Sequence, residues 1–472
     1  MTSCTRGCVV AFVDQLDQTV EKIIDEAIDF YLYTRGWYRV GNGNFHHIHE
    51  MGWEITPPGK PVRTTGGQVT HNGQPAEWGF DYGSGTNSGS LVYGHFEETI
   101  RAVFDRWRSI PTPADFDQYL NYLRDAAWYV SLTSKSDKVS DVGNAELTAV
   151  DFLQKKIGGD DMGGEMILTF DQNFCTPLPT VIHGQYAVTL LAGTTLCGEK
   201  EIWVKAEQDI LAIADKMHAA MKDRGSAGAV DLGTIIALAN IAAVFPTPAK
   251  PILSGAGTVL SALDSLLKAG DEPSKPSVEF AADTPEEVIT KTKDALKKLA
   301  ETIKGCEDEI EGKIKEAMNA VTSRSGSFDM PKPTLLDETQ INGMKVDLSD
   351  LTFLATDTLP KVEKQLNLAS DNVSYGGYCS DAWYRPIDID VSDTVYGPYD
   401  AWSALASLAE DLTADLAWEV KESAAHLAIA ADQIGRTEAE IEASMQRHAE
   451  NLSGGSGHNP ISEASEWLKE NP

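Results

Sequence analysis

Residues 145–222 read AELTAVDFLQKKIGGDDMGGEMILTFDQNFCTPLPTVIHGQYAVTLLAGTTLCGEKEIWVKAEQDILAIADKMHAAMK, and this stretch decides the fold. Val150, Leu153 and Ile157 have helical spacing. Gly158 and Gly159 then end the helix, because glycine adopts left-handed backbone angles without steric cost. Beyond a glycine-rich turn, apolar residues recur at steps of three and four, which is typical of an amphipathic helix. The stretch therefore predicts a helical hairpin.

The second arm of this hairpin is long. Pro177 and Pro179 interrupt its beginning and predict a kink or break there. The remainder continues to about residue 224, which is roughly 65 Å of helix at 1.5 Å per residue. A helix of that length in a soluble protein usually belongs to an elongated bundle or coiled coil. We therefore predict a mainly α fold, an elongated antiparallel helical bundle.

Three segments of the hairpin carry a resemblance to a known family: GGDDMGGEMILTFDQNF at 158–174, GQYAVTLL at 184–191 and EIWVKAEQDILAIAD at 201–215. Together they resemble the helix-turn-helix of actinobacterial WXG-type proteins, which are substrates of type VII (ESX) secretion systems. In that family a Trp-x-Gly turn joins two antiparallel helices. Met162, Gly163 and Gly164 occupy the corresponding turn, so the tryptophan is missing.

The resemblance implies a non-enzymatic protein that is secreted without a cleaved signal peptide. It would act by helix–helix assembly, through self-association or a small WXG-type partner. The family also has a Tyr-x-x-x-Asp/Glu secretion signal near the end of its second helix. A long helical pattern from Asp400 to about residue 451 resembles that helix, and Ile434 and Glu438 hold the spacing of the signal without its tyrosine.

The charge balance excludes one class of partner. The 472 residues include 71 Asp and Glu against 39 Lys and Arg, a net charge of −32. Nucleic-acid binding needs basic patches for the phosphates, so we expect no nucleic-acid partner. The same charge opposes electrostatic attraction to anionic membranes.

The cysteines and the N-terminal residues give information on metal binding, disulfides and the cellular location of the protein. The six cysteines are scattered and form no paired CxxC motif, which argues against a zinc ribbon. Cys175 and Cys197 cannot bridge each other if their helix is continuous. The apolar run after Met1 is too short for a secretory signal peptide, so the chain is either cytoplasmic or exported without a cleaved leader.

The N-terminal unit, residues 1–140, is predicted to hold helices and one loop-rich insertion. A helix is expected over residues 12–35, and residues 41–94 read as an irregular, partly β insertion with short strands. His46, His47 and His49 in this insertion are candidate metal ligands. Surface decoration is the favoured interpretation of that histidine run, so no metal and no cofactor are predicted.

An apolar segment at residues 232–267 completes the middle unit, residues 141–270. Its two apolar stretches flank a proline-rich turn and are each shorter than a hydrocarbon core is thick. A buried αα-hairpin is favoured, and a membrane-inserting hairpin is the alternative. The residues that would enter the membrane are Leu232, Ile236, Ile241, Phe245, Ile252, Leu260 and Leu263.

Residues 271–452 are predicted to supply C-terminal helices that complete the bundle. A flexible tail at residues 453–472 is expected to follow, with one last helical turn at Glu463–Lys469. Thr284, Pro285 and Glu287 mark a helix start with a cap, a first-turn proline and a capping-box glutamate. No catalytic motif occurs in a usable context. Beside the exported binding protein, two alternatives remain open: an α-helical pore-former that uses residues 232–267, and an intracellular scaffold.

Overall fold

The computed structural model describes residues 12–57, 67–132, 143–159, 162, 164–225, 228–231, 277–330, 347–386, 389, 391, 394–433 and 459–471. These residues are mostly helical, with antiparallel strands near the N-terminus, as the sequence predicts. The helices are α1 (Phe12–Thr34), α2 (Ser88–Phe104), α3 (Asp117–Tyr129), α4 (Thr148–Ile157), α5 (Glu165–Phe170), α6 (Leu178–Lys222), α7 (Pro285–Ser323), α8 (Leu348–Phe353), α9 (Leu359–Gly377), α10 (Ser380–Trp383), α11 (Tyr399–Gln433) and α12 (Pro460–Glu470).

A five-stranded antiparallel meander follows α1. Its strands are β1 (Trp37–Arg39), β2 (Phe45–His47), β3 (Trp53–Thr56), β4 (Gln68–His71) and β5 (Gln74–Pro75), paired in chain order. Phe45 pairs with Ile55, and Ile55 pairs with Val69, so three buried apolar side chains form one row across the sheet. This row is the face that packs on the helices.

Two shorter strand pairs accompany the meander. The first joins β6 (Trp78–Phe80) to β7 (Gly83–Gly85), and the second joins β8 (Ala229–Asp231) to β9 (Ser277–Glu279). The strand region therefore begins at Trp37 and gives way to α2 at Ser88, so it starts and ends earlier than the predicted insertion at 41–94.

Helix α6 is the centre of the helical packing, with α1, α3, α7 and α11 in contact with it. It has 45 residues and begins at Leu178, directly after a π-helical turn at Asp171–Cys175 that marks the predicted proline break. A helix that other elements cover on most sides must bury its polar residues with partners. Thr189 and Thr195 do so by donating to the carbonyl oxygens of Gln185 and Leu191, each at 2.9 Å.

The two helices of the predicted hairpin, α4 and α6, are both present, but they differ in length, and α4 packs on the π-helical turn at Asp171–Cys175 and on α9 rather than along α6. Helix α4 has only 10 residues and cannot cover a partner of 45 residues. Long helices from elsewhere in the chain cover the rest of α6. Helix α11 runs antiparallel to it, since Trp402 Nε1 donates to the carbonyl oxygen of Ala192 at 2.9 Å and Gln185 Nε2 donates to that of Leu412 at 2.8 Å.

The core does not follow the predicted unit boundaries. Two clusters of buried apolar side chains are present, and each combines residues from the segments 1–140, 141–270 and 271–452. Those three units therefore share their cores within the described chain.

The helix at the C-terminus is longer than the single turn predicted at Glu463–Lys469, since residues 460–470 form α12. Asn459 caps this helix by accepting a hydrogen bond from the Ser462 amide at 3.0 Å, and Pro460 occupies the first turn. Ile461 and Ala464 are buried against α7 and α11. The helical spacing of apolar residues from Ile461 onward favours a helix here, although the segment just before it is rich in glycine.

No helix in the described part of the chain is long and apolar enough to cross a membrane. The seven residues named for membrane entry, from Leu232 to Leu263, lie outside the described residues. Cys175 and Cys197 are both free and buried, as expected for two cysteines on one helical region.

Candidate binding groove at the C-terminal helix

A groove of about 450 Å³ lies between α7, α11 and α12, and we call it the C-terminal groove. Packing of α12 creates it, because this helix rests on α7 and α11 through Ile461 and Ala464. The lining residues are Met318, Asp400, Ser403, Ala404, Ser407, Leu408, Asp411, Pro460, Glu463, Ala464, Trp467 and Asn471.

The α11 side of the groove is one helical face. Asp400, Ser403, Ser407 and Asp411 are spaced by three and four residues, so they project in the same direction. From Asp400 to Asp411 this face extends about 16 Å at 1.5 Å per residue. The groove is therefore long enough for an extended ligand.

The polar groups of the groove favour a cation. Its walls carry three carboxylates, from Asp400, Asp411 and Glu463, and no lysine or arginine is among the described residues that line it. Trp467 adds an indole ring, whose face attracts cations. Asp411 and Glu463 also interact with neighbouring protein groups, so a bound cation would share them. Three carboxylates beside an indole ring form a donor set that suits a positive charge.

A buried charge cluster lies beside α6. Arg385 is 1 % exposed, and its guanidinium donates to both carboxylate oxygens of Glu307 on α7, one of them at 2.7 Å. Glu199 on α6 is fully buried and accepts a hydrogen bond from Trp203 Nε1 at 2.7 Å. Two carboxyl groups thus lie side by side in the core, and Arg385 pairs directly with one of them, Glu307.

Burial decides the protonation of this cluster. Removal from water is the largest cause that raises the pKa of Glu199 well above its usual range, and the charge of Glu307 is the second. Burial also raises the pKa of Glu307, although Arg385 opposes this shift. The directly bonded Arg385 acts to lower the pKa of Glu307, whereas burial and the charge of Glu307 together raise the pKa of Glu199.

The charge cluster positions the loop between α10 and α11. The Arg385 amide donates to the Val395 carbonyl oxygen at 2.9 Å, which closes the loop at its base. Gly397 has a φ of +55°, and a Cβ at that position would collide with the Arg385 guanidinium. Val395 and Gly397 therefore lie directly against Arg385, which the buried ion pair with Glu307 holds in place.

One group of carboxylates has the separation expected of metal ligands. Asp329, Asp415 and Glu419 each place an oxygen within 4.8 Å of the others, and carboxylate oxygens suit Ca²⁺ or Mg²⁺. Each of the three also has a polar or electrostatic contact of its own within the protein. Clustered carboxylates occur without an ion, so this group does not by itself establish a metal site.

The structure separates the histidines that were named as metal candidates. His46 lies near the ring of Tyr38 and the carboxylate of Glu54, with its Nε2 atom 3.8 Å from Glu54 Oε1. His47, the next residue in β2, packs against the indoles of Trp37 and Trp78. The centroid of the His49 ring lies 6.1 Å from that of the His47 ring. The aromatic packing of His47 accounts for its presence in this strand.

The residues named for the secretion turn are placed only in part. Met162 is 6 % exposed and packs into the second core cluster, and Gly164 has a φ of +122°, which requires glycine. Gly163, Ile434 and Glu438 lie outside the described residues. Met162 thus has a structural role in the turn, as an apolar anchor.

Sequence reasoning missed both the C-terminal groove and the buried charge cluster. The sequence does carry a signal for the helix that forms the groove: Asn459 and Pro460 mark a helix start, and Ile461, Ala464 and Trp467 follow at helical spacing. The cluster had none, because its three charged residues come from distant segments that show no common pattern.

Comparisons with known proteins give no relative. No protein-family description matches the chain, and neither a curated protein nor a solved structure resembles it significantly.

Proposed function

We propose that this chain is a non-enzymatic binding protein, whose C-terminal groove takes the cationic side chains of a protein partner. The observation that carries the proposal is the lining of the groove, where three carboxylates and an indole ring face a space free of lysine and arginine among the described residues. A positive charge bound there gains from the carboxylates and from the ring together.

The shape of the groove supports a peptide segment as the occupant. Asp400 and Asp411 are about 16 Å apart along one helical face, which suits an extended chain with several positive charges. The net charge of −32 favours encounter with basic partners and opposes close approach of a second copy. The proposed partner is therefore a basic protein segment.

We also propose that the helices form an elongated antiparallel bundle and that the protein is exported through a type VII system. The lengths of α6 and α7, 45 and 39 residues, support the first statement, since they correspond to about 68 and 58 Å of helix. The resemblance of residues 145–222 to the helix-turn-helix of WXG-type proteins supports the second. Export is tested by comparing culture filtrate with cell pellet in strains with and without the secretion ATPase. Retention in both strains would contradict it.

The binding proposal is tested with a fluorescein-labelled hexalysine peptide and fluorescence anisotropy. The groove variant carries Asp411→Asn and Glu463→Gln. A matched variant carries Glu98→Gln and Glu301→Gln, which remove the same charge at exposed positions on α2 and α7.

We expect the groove variant to bind hexalysine at least about tenfold more weakly, while the matched variant changes affinity less than about twofold. Equal losses in both variants would show that only overall charge attracts the peptide, and would overturn the proposal. Spermine serves as the second probe. Binding of spermine as tight as that of hexalysine would identify a polyamine site and would contradict a protein partner.

A further inference from the structure

Five exposed tyrosines gather at one end of the helices, where α3, the end of α9 and the loop before α11 meet. Exposed tyrosines in one place are unusual on a protein surface and are typical of surfaces that bind other proteins. We call this set the tyrosine surface. Its members and their exposures are Tyr378 at 75 %, Tyr375 at 56 %, Tyr384 at 52 %, Tyr396 at 39 % and Tyr122 at 39 %.

Ring contacts and one hydrogen bond connect these residues. The ring centroids of Tyr122 and Tyr375 lie 5.5 Å apart, and those of Tyr384 and Tyr396 lie 6.0 Å apart. Tyr399 joins the two groups, since its ring lies 6.3 Å from that of Tyr396 and its hydroxyl donates to the Gly377 carbonyl oxygen, next to Tyr378. The tyrosines therefore belong to one surface.

The backbone under this surface is fixed. Trp383 at the end of the short helix α10 is buried, and its Nε1 donates at 3.3 Å to Sγ of Cys379, the residue before that helix. Two residues further along the chain, Arg385 pairs with Glu307 and so anchors this part of the backbone to α7. Because Tyr378 and Tyr384 flank these anchors, their rings are presented with little backbone freedom to lose on binding.

Carboxylates accompany the rings. Asp371 precedes Tyr375 by one turn of α9, Asp381 lies between Tyr378 and Tyr384, and Asp400 follows Tyr396; all three aspartates are exposed. An aromatic face beside a carboxylate suits guanidinium, which stacks on rings and pairs with carboxylates in a planar fork. The chain uses the same stacking internally, where the Arg224 guanidinium lies 3.4 Å from the centre of the Tyr33 ring.

The C-terminal groove ends at this surface. Asp400 lines the groove in the first turn of α11, and Tyr396 precedes it by four residues, in a turn closed by the hydrogen bond from the Tyr399 amide to the Tyr396 carbonyl oxygen. A peptide segment that leaves the groove at Asp400 therefore meets Tyr396 next.

We infer that the tyrosine surface binds arginine side chains of the same basic partner segment that occupies the groove. This inference rests on the proposed function for the identity of the partner. It adds that the partner residues at this surface are arginines. Arginine is selected over lysine because its planar guanidinium stacks on a tyrosine ring while it still pairs with a neighbouring aspartate.

The test compares hexaarginine with hexalysine on the full-length protein, with affinity measured by isothermal titration. The wild type is expected to prefer hexaarginine by about fivefold to tenfold, which is the gain expected from one or two stacked rings. Tyr378→Ala with Tyr384→Ala should reduce this preference to below about twofold. Tyr378→Phe with Tyr384→Phe should retain it, because the rings remain.

Two controls separate this inference from the proposed function. Tyr38→Ala removes an exposed ring on β1, far along the chain from this surface, and should leave the preference unchanged. The groove variant Asp411→Asn with Glu463→Gln should weaken both peptides equally and keep their ratio. Absence of an arginine preference in the wild type, or its survival in the double alanine variant, would overturn the inference while hexalysine binding in the groove stands.

Discussion

Replacing Glu199 with glutamine removes a buried carboxyl group while keeping its shape. Glutamine keeps the oxygen that accepts the Trp203 Nε1 hydrogen bond, which is 2.7 Å long in the wild type. It cannot ionise, so it fixes position 199 in the neutral form that burial and Glu307 already favour. We expect Glu199→Gln to fold normally and to be as stable as the wild type at acidic pH.

The variant should become the more stable protein as the pH rises. The folded-state pKa of Glu199 is raised above its ordinary value near 4.5, so its contribution to stability is fully present below that pH and is lost as the pH rises toward the folded-state pKa. Each pH unit in that window should add about 1.4 kcal/mol to the stability of Glu199→Gln relative to the wild type.

Glu307→Gln provides the contrast at the other carboxyl group of the cluster. It leaves the buried Arg385 guanidinium without the carboxylate that it contacts through two nitrogens. Removing one partner of a buried ion pair costs about 3–5 kcal/mol, because the remaining charge is uncompensated. Two similar substitutions in one cluster should therefore have opposite effects on stability at neutral pH.

The assay is urea denaturation followed by far-ultraviolet circular dichroism, with all three proteins measured at several pH values between 4.5 and 8. The quantity compared is the difference in free energy of unfolding between each variant and the wild type. A Glu199→Gln protein that is less stable than the wild type by a constant amount at every pH would refute the reasoning, since Glu199 would then be ionised in the folded protein.

Three further predictions use the same kind of measurement. Gly397→Ala should lower the free energy of unfolding by about 1–3 kcal/mol, because the residue has a positive φ and its Cβ would collide with Arg385. Gly312→Ala, at an open position of α7, should instead raise the free energy of unfolding by about 0.5–1 kcal/mol. Urea denaturation checks both predictions. Thr284→Ala should cost about 1 kcal/mol, since its side chain caps α7, and a Thr284→Ser protein should retain most of that energy. Iodoacetamide should modify the half-buried Cys306 before the three buried thiols Cys175, Cys197 and Cys379, and mass-spectrometric mapping checks the order. The reason is that burial raises the pKa of Cys197 to about 11 and that of Cys379 to about 12, so little reactive thiolate is present. Equal labelling rates would contradict the packing of these thiols.

Features that depend on residues close together in the chain could be read from the sequence. The start of α7 is an example, because Thr284 and Glu287 supply the two halves of its cap within four positions. The break before α6 is another, since Pro177 and Pro179 act on their own backbone. The extent of α12 was misjudged, although Asn459 and Pro460 carried its start signal, because the preceding glycines and serines dominated the composition of the tail.

The sequence by itself determined the helical class of this protein, the strand region after α1, the long central helix and the strongly acidic character. Each of these follows from local periodicity, from caps and turns, or from summed charge. Only the tertiary structure decided that α11 and α7 flank α6, that Glu199 lies beside the Glu307–Arg385 ion pair, and that α12 completes an acidic groove. The physical reason is that such sites join residues from distant segments, and helical periodicity tells which face of each segment is buried without telling which partner covers it.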